Sequence, residues 1–107
     1  MITTWNNPQT NELFRAILSL KSPLEARKFF RDLLTEDELV EFGKRWQAAR
    51  MLDADVPYTD IVKKTGLSSR TVARISRWLE QGMGGYKLML ARFHHHTHTP
   101  RLSRKAS

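Results

Sequence analysis

Ser69, Arg70, Ala73, Arg74 and Arg77 share one side of a helical repeat and together make a small, hydroxylated and cationic surface. Guanidinium groups on such a surface donate in pairs to base edges or phosphates, and its narrow side chains let a helix lie in a major groove. The opposite side of the same repeat carries Val72, Ile75 and Leu79, at the three- and four-residue spacing of a buried stripe. The stretch that positions these residues is YTDIVKKTGLSSRTVARISRWL, residues 58–79. It reads as a helix-turn-helix. A first short helix turns Ile61 and Val62 inward, Gly66 supplies a left-handed turn residue, and Leu67 plugs the turn. Ser68 is placed to accept from the free N–H groups that open the second helix. An antiparallel helix pair with a solvated cationic face is the plainer reading of such a pattern. Against it stand the Gly–Leu turn, the Ser cap and the absence of any acidic residue between Ile61 and Leu79.

The charge distribution follows the same division. Residues 1–60 hold eight Lys/Arg and ten Asp/Glu, whereas residues 61–107 hold ten and one, so the positive charge behind the net +7 of this 107-residue chain lies after residue 60. A basic half that begins inside a helix-turn-helix is the pattern of a phosphate-neutralising surface. The chain has no cysteine, which excludes disulfides, thiolate metal sites and cysteine nucleophiles. A polar start and no long apolar run argue against a signal peptide or a membrane span, and the expected compartment is the cytoplasm.

Around the motif the chain reads as helical throughout. Residues 1–10 lack periodicity and are expected to form an N-terminal arm. Residues 11–93 form the helical domain, with a first stripe of Leu13, Phe14, Ile17 and Leu18. Ser22, Pro23 and Glu25 signal a second helix start, and Thr35 with Glu38 signals a third. The third helix, expected to end near Leu52, carries Leu39, Phe42, Trp46 and Ala49 with Val40 and Met51 on another side. That is more apolar surface than a small monomer covers, and it points to a second subunit. A glycine-rich break at residues 82–85 precedes a short closing helix, and HHHTHTPRLSRKAS, residues 94–107, is expected to be a disordered basic tail.

Three sequence features could suggest other chemistry. His94, His95, His96 and His98 lack a carboxylate or cysteine nearby to complete a metal site, so none is expected. Glu36, Asp37, Glu38 and Glu41 are explained by capping and the helix dipole. Trp46 and Trp78, as aromatics at helical spacing, read as core before they read as a ligand cage. No phosphate-cradling glycine loop, zinc-hydrolase histidine pair or nucleophile elbow is present, and no enzyme is expected.

In order, DLLTEDEL, RWQAARML, YTDIVKKTG, TVARISR and GMGGY resemble the Trp repressor family, closest to its Trp-repressor-related YerC/YecD-type branch. The resemblance implies an all-α, intertwined homodimer in which two helix-turn-helix units read operator half-sites on double-stranded DNA. It places base reading at Tyr58, Thr59, Ser69, Arg70 and Ala73; by side-chain chemistry Arg70 suits a bidentate guanine contact, and Lys63, Lys64 and Arg77 suit the backbone, with Ser68 also counted in the DNA-binding set. It places an effector pocket at Thr35, Arg45, Arg74, Ile75 and Trp78, where tryptophan-responsive members sandwich an indole between the two arginines. Ile75 and Trp78 stand where those members have a glycine and a serine. Two large apolar groups there argue against free L-tryptophan as effector and leave a ligand-independent regulator or one answering a different small molecule. The expected function is a transcriptional regulator acting as a repressor, with no required cofactor. The rival readings are a helix-turn-helix module for protein contact and a nonspecific nucleic-acid binder driven by the tail.

Overall fold

The computed structural model describes residues 4–98, and side chains for residues 4–93. Its described residues form six helices and no strand: α1 (Pro8–Leu18), α2 (Pro23–Leu33), α3 (Glu36–Asp53), α4 (Tyr58–Thr65), α5 (Ser69–Gln81) and α6 (Gly85–His98). The chain divides within α3 into two compact units, Met1–Leu39 and Val40–Ser107. No helix of the described residues is long and apolar enough to cross a membrane.

In the first unit, caps define the helices. Asn7 Oδ1 accepts from the Thr10 amide at 2.9 Å, the Asn7 amide donates back to Thr10 Oγ1 at 3.2 Å, and Pro8 opens the helix. The expected arm of residues 1–10 is therefore helical from Pro8 onward. Ser22 Oγ accepts from the Glu25 amide at 3.1 Å, as its sequence implies, but the Glu25 carboxylate accepts from Lys21 N at 2.8 Å instead of from Ser22. At α3 the reciprocal box forms as read, with Glu38 N to Thr35 Oγ1 at 3.1 Å and Thr35 N to Glu38 Oε1 at 2.9 Å. Neither α1 nor α2 contains a buried residue.

The core lies in the second unit. Ala48 and Ala49 of α3, Ile61 of α4, Leu67 of the turn and Val72 and Ile75 of α5 form one buried cluster, with Trp46, Met51, Leu52, Val56, Val62 and Tyr86 packed against it. Two adjacent alanines on α3 offer a surface low enough for the helix-turn-helix to approach closely. Val40 and Phe42 of α3 remain 56% and 49% exposed, so the described residues alone do not bury the several apolar faces expected of this helix.

α3 ends in a Schellman turn. Asp55 holds φ 61°, its amide donates to the Leu52 carbonyl at 3.0 Å, and Val56 N donates to the Met51 carbonyl at 3.0 Å. Aspartate is among the few non-glycine residues that visit this region with a small penalty. At the other end, α6 continues past the expected boundary at Phe93 through His98. Adding a residue to a formed helix costs far less than starting one, which lets the polar His94–His98 backbone follow the apolar turns before it. The rest of the expected disordered tail, residues 99–107, lies outside the described residues.

Candidate nucleic-acid interface

The turn between α4 and α5 is fixed by backbone and side chain together. Gly66 takes φ 78° and its amide donates to the Val62 carbonyl at 2.9 Å, closing α4. Thr65, only 4% exposed, donates its hydroxyl to the Ile61 carbonyl at 2.7 Å and accepts from Leu67 N at 3.1 Å. One hydroxyl thus satisfies a polar group on each side of the glycine. Ser68 caps α5, accepting from Thr71 N at 3.1 Å while its own hydroxyl donates to Thr71 Oγ1 at 3.0 Å. α4 has no such side-chain cap: Pro57 precedes it in extended conformation.

With Val72, Ile75 and Leu79 buried, the rotation of α5 is set, and Ser69, Arg70, Ala73, Arg74 and Arg77 all face outward. Tyr58, Thr59, Lys63 and Lys64 of α4 are exposed as well. Lys63, Lys64, Arg70 and Arg77 make no ion pair with any described residue. Their charges are therefore uncompensated within the described chain, on a face with no acidic residue between Ile61 and Leu79.

The five residues assigned to an effector pocket are placed differently from one another. Thr35 belongs to the first unit, where it caps α3. Arg45 is half-buried and pairs with Glu41 at 3.3 Å. Arg74 lies over the Trp78 indole, 5.7 Å from its centroid. Ile75 is fully buried in the core, and Trp78 is 44% exposed. Trp78 lines an open groove of about 760 Å³ with Trp46, Met83, Tyr86 and Met89. Trp46 stacks on Tyr86, with centroids 6.5 Å apart, and meets Phe93 edge-on at 5.9 Å. Burial raises the Tyr86 phenol above its usual value, and the nearby charge of Arg45 acts in the opposite direction.

The model of the family described as Trp repressor protein matches residues 8–94, from the first residue of α1 through the helix-turn-helix into α6. The chain belongs to the Trp repressor family. It is 38% identical over 84 residues to the uncharacterized protein YerC of Bacillus subtilis (strain 168), covering 78% of this chain and 81% of that one. It is similar to the crystal structure of a TrpR-like protein from Eubacterium eligens ATCC 27750, with a TM-score of 0.79 and 38% identity, covering 83% of this chain and 92% of the other. A Trp repressor candidate from Staphylococcus aureus gives a TM-score of 0.78 at 32% identity, covering 86% of this chain and 95% of that one.

Set in the Trp repressor fold, two residues matter that the sequence pattern did not single out. Thr65 is one; a threonine at a helix end reads as a neutral surface residue until its burial is known. Lys44 is the other. It sits on α3, outside the helix-turn-helix, and a Cβ built on Gly66 would stand 3.7 Å from its Nζ.

Proposed function

We propose that this chain is a cytoplasmic, sequence-specific DNA-binding transcriptional regulator of the Trp repressor family, a homodimer that represses by occupying an operator. The observation that carries the reading is the outer face of α5, where Arg70 and Arg77 are exposed without an ion-pair partner among the described residues. Arg70 donates to a guanine edge, Ser69 and Thr59 bond bases or phosphates, Ala73 meets a thymine methyl, and Lys63, Lys64 and Arg77 hold backbone. Tyr58 flanks the base-reading residues at the start of α4.

The dimer is supported by the amphipathic helices α1 and α2, which bury no residue of their own. At 11 residues each they fall below the ~12–15 at which isolated helices become even marginal, so a covering surface is required.

The test is selection of bound DNA from a randomised duplex pool, followed by anisotropy titration, with wild type and Arg70→Ala. A palindromic site is expected for wild type, with affinity for it weakened by about 1–3 kcal/mol in the variant and guanine preference relaxed at one position per half-site. Equal, salt-sensitive binding of every sequence by both proteins would overturn the reading.

A further inference from the structure

The turn between α4 and α5 carries a cation from a third element. Lys44 projects from α3 so that its Nζ would stand 3.7 Å from a Cβ on Gly66, an ordinary van der Waals distance. Glycine at 66 is required by its φ of 78° and not by crowding from the lysine. The ammonium group therefore lies over the turn without wedging it. Lys44 makes no hydrogen bond or ion pair with a described residue, although Glu41, one turn earlier on α3, pairs with Arg45. Lys44 as a residue is half-buried, which limits the volume its side chain can sample. Lys63 and Lys64 end α4 directly before the same turn and are likewise without a carboxylate partner among the described residues.

Resting on the DNA-binding reading above, we infer that Lys44 is a phosphate-contacting residue, extending the nucleic-acid surface from the helix-turn-helix onto α3. A cation over Gly66, with Lys63 and Lys64 in the last turn of α4 just before it, puts three lysines near one turn, suited to a single stretch of sugar-phosphate backbone. Such a contact carries no sequence information; it adds affinity and fixes how deeply α5 sits in the groove.

The experiment is anisotropy binding of the full chain to a random-sequence duplex across a salt series, for wild type, Lys44→Met and Lys44→Arg, with thermal unfolding of each. Lys44→Met is expected to lower the log–log salt slope by about 0.9 per protomer and to weaken binding about five- to tenfold near 0.1 M salt. Lys44→Arg keeps the wild-type slope. Lys44→Gln gives the same comparison as methionine if methionine disturbs folding. An unchanged slope in the neutral variants, beside salt-dependent wild-type binding, overturns this inference and leaves the regulator reading standing. Loss of thermal stability with no change in slope assigns Lys44 a structural role and also overturns it. Wild-type protein that shows no salt-dependent binding overturns both.

Discussion

The guanidinium of Arg74 lies 5.7 Å from the centroid of the Trp78 indole, one turn away on the same helix. The resemblance to tryptophan-responsive repressors assigns Arg74 to the face of a bound indole, and here an indole of the chain itself meets that arginine. Ile75, beside it, is fully buried, at the position where the resemblance places a glycine in those repressors. A free tryptophan would displace the internal contact, worth about 0.5–1 kcal/mol at an exposed site. Its amino group would also lose the serine partner, at about 1–3 kcal/mol. Calorimetric titration with L-tryptophan is expected to show no saturable heat in the micromolar range, and DNA affinity is expected to be the same with and without it. Micromolar binding that tightens the DNA complex would reverse this conclusion.

Ser68 separates folding from binding. Its hydroxyl is engaged with Thr71 N and Thr71 Oγ1, so its first role is the cap of α5. Ser68→Ala should cost about 1 kcal/mol in urea denaturation. Ser68→Asp restores the cap and complements the helix dipole, yet places a negative charge at the proposed DNA face. The aspartate variant is expected to unfold like wild type and to bind duplex DNA more weakly than the less stable alanine variant. Equal binding by the two would move Ser68 off the interface.

Thr65→Val tests the turn. The two side chains have the same shape, but valine leaves the Leu67 amide and the Ile61 carbonyl without the hydroxyl that bonds both. With the site 4% exposed, water does not replace it easily, and the expected loss is about 1–3 kcal/mol by chemical denaturation. Thr65→Ser, which keeps the hydroxyl, should recover most of it.

Local grammar was legible in the sequence and tertiary consequence was not. Ser22, Thr35, Gly66 and Ser68 act where their residue types say they should, because capping and positive φ are decided within four residues of chain. Asn7–Pro8 follows the same cap-then-proline grammar as Ser22–Pro23, but Thr10 stands where a glutamate would signal the box, so the sequence alone suggests an arm there. The end of α3 near Leu52 is legible but the left-handed φ of Asp55 is not, since aspartate adopts that region only when the surrounding turn demands it. Lys44 and Thr65 carry no local signal at all. Their roles depend on α3 packing beside the turn and on the depth of the α4 end, which are properties of the assembled core.

Tyr86 gives a pH signature. Burial raises its phenol above the ordinary 10.0, with Arg45 opposing the shift, so the fold favours the protonated ring. Between the unfolded and folded values the native chain holds a proton that the unfolded chain has released. The associated stability is complete below the unfolded value and is lost as pH rises through the folded one. Tyr86→Phe, which keeps the stack on Trp46, is expected to lose stability less steeply than wild type when denaturation is followed upward from about pH 10. Parallel curves would show that the phenol contributes nothing to alkaline unfolding.

Leu18 and Leu24 pose the question of what covers the first unit. They are 83% and 60% exposed, near the end of α1 and the start of α2, and Phe14 and Leu33 of the same helices are 44% and 45% exposed. Short amphipathic helices owe their stability to the apolar face they bury, and in these no residue is fully buried, Leu13, Ile17, Phe29 and Phe30 being half-buried. A second copy of the chain supplies a matching set of exposed apolar residues, and a two-fold assembly would place two α5 helices for paired half-sites. Sedimentation equilibrium of the wild type is expected to give a dimer mass at micromolar concentration. Leu18→Glu with Leu24→Glu should shift it toward monomer, lower the thermal midpoint and weaken binding to a palindromic site much more than to one half-site. A wild type that sediments as a monomer and unfolds at a concentration-independent temperature would leave these helices without a partner and remove the dimer from the proposed mechanism.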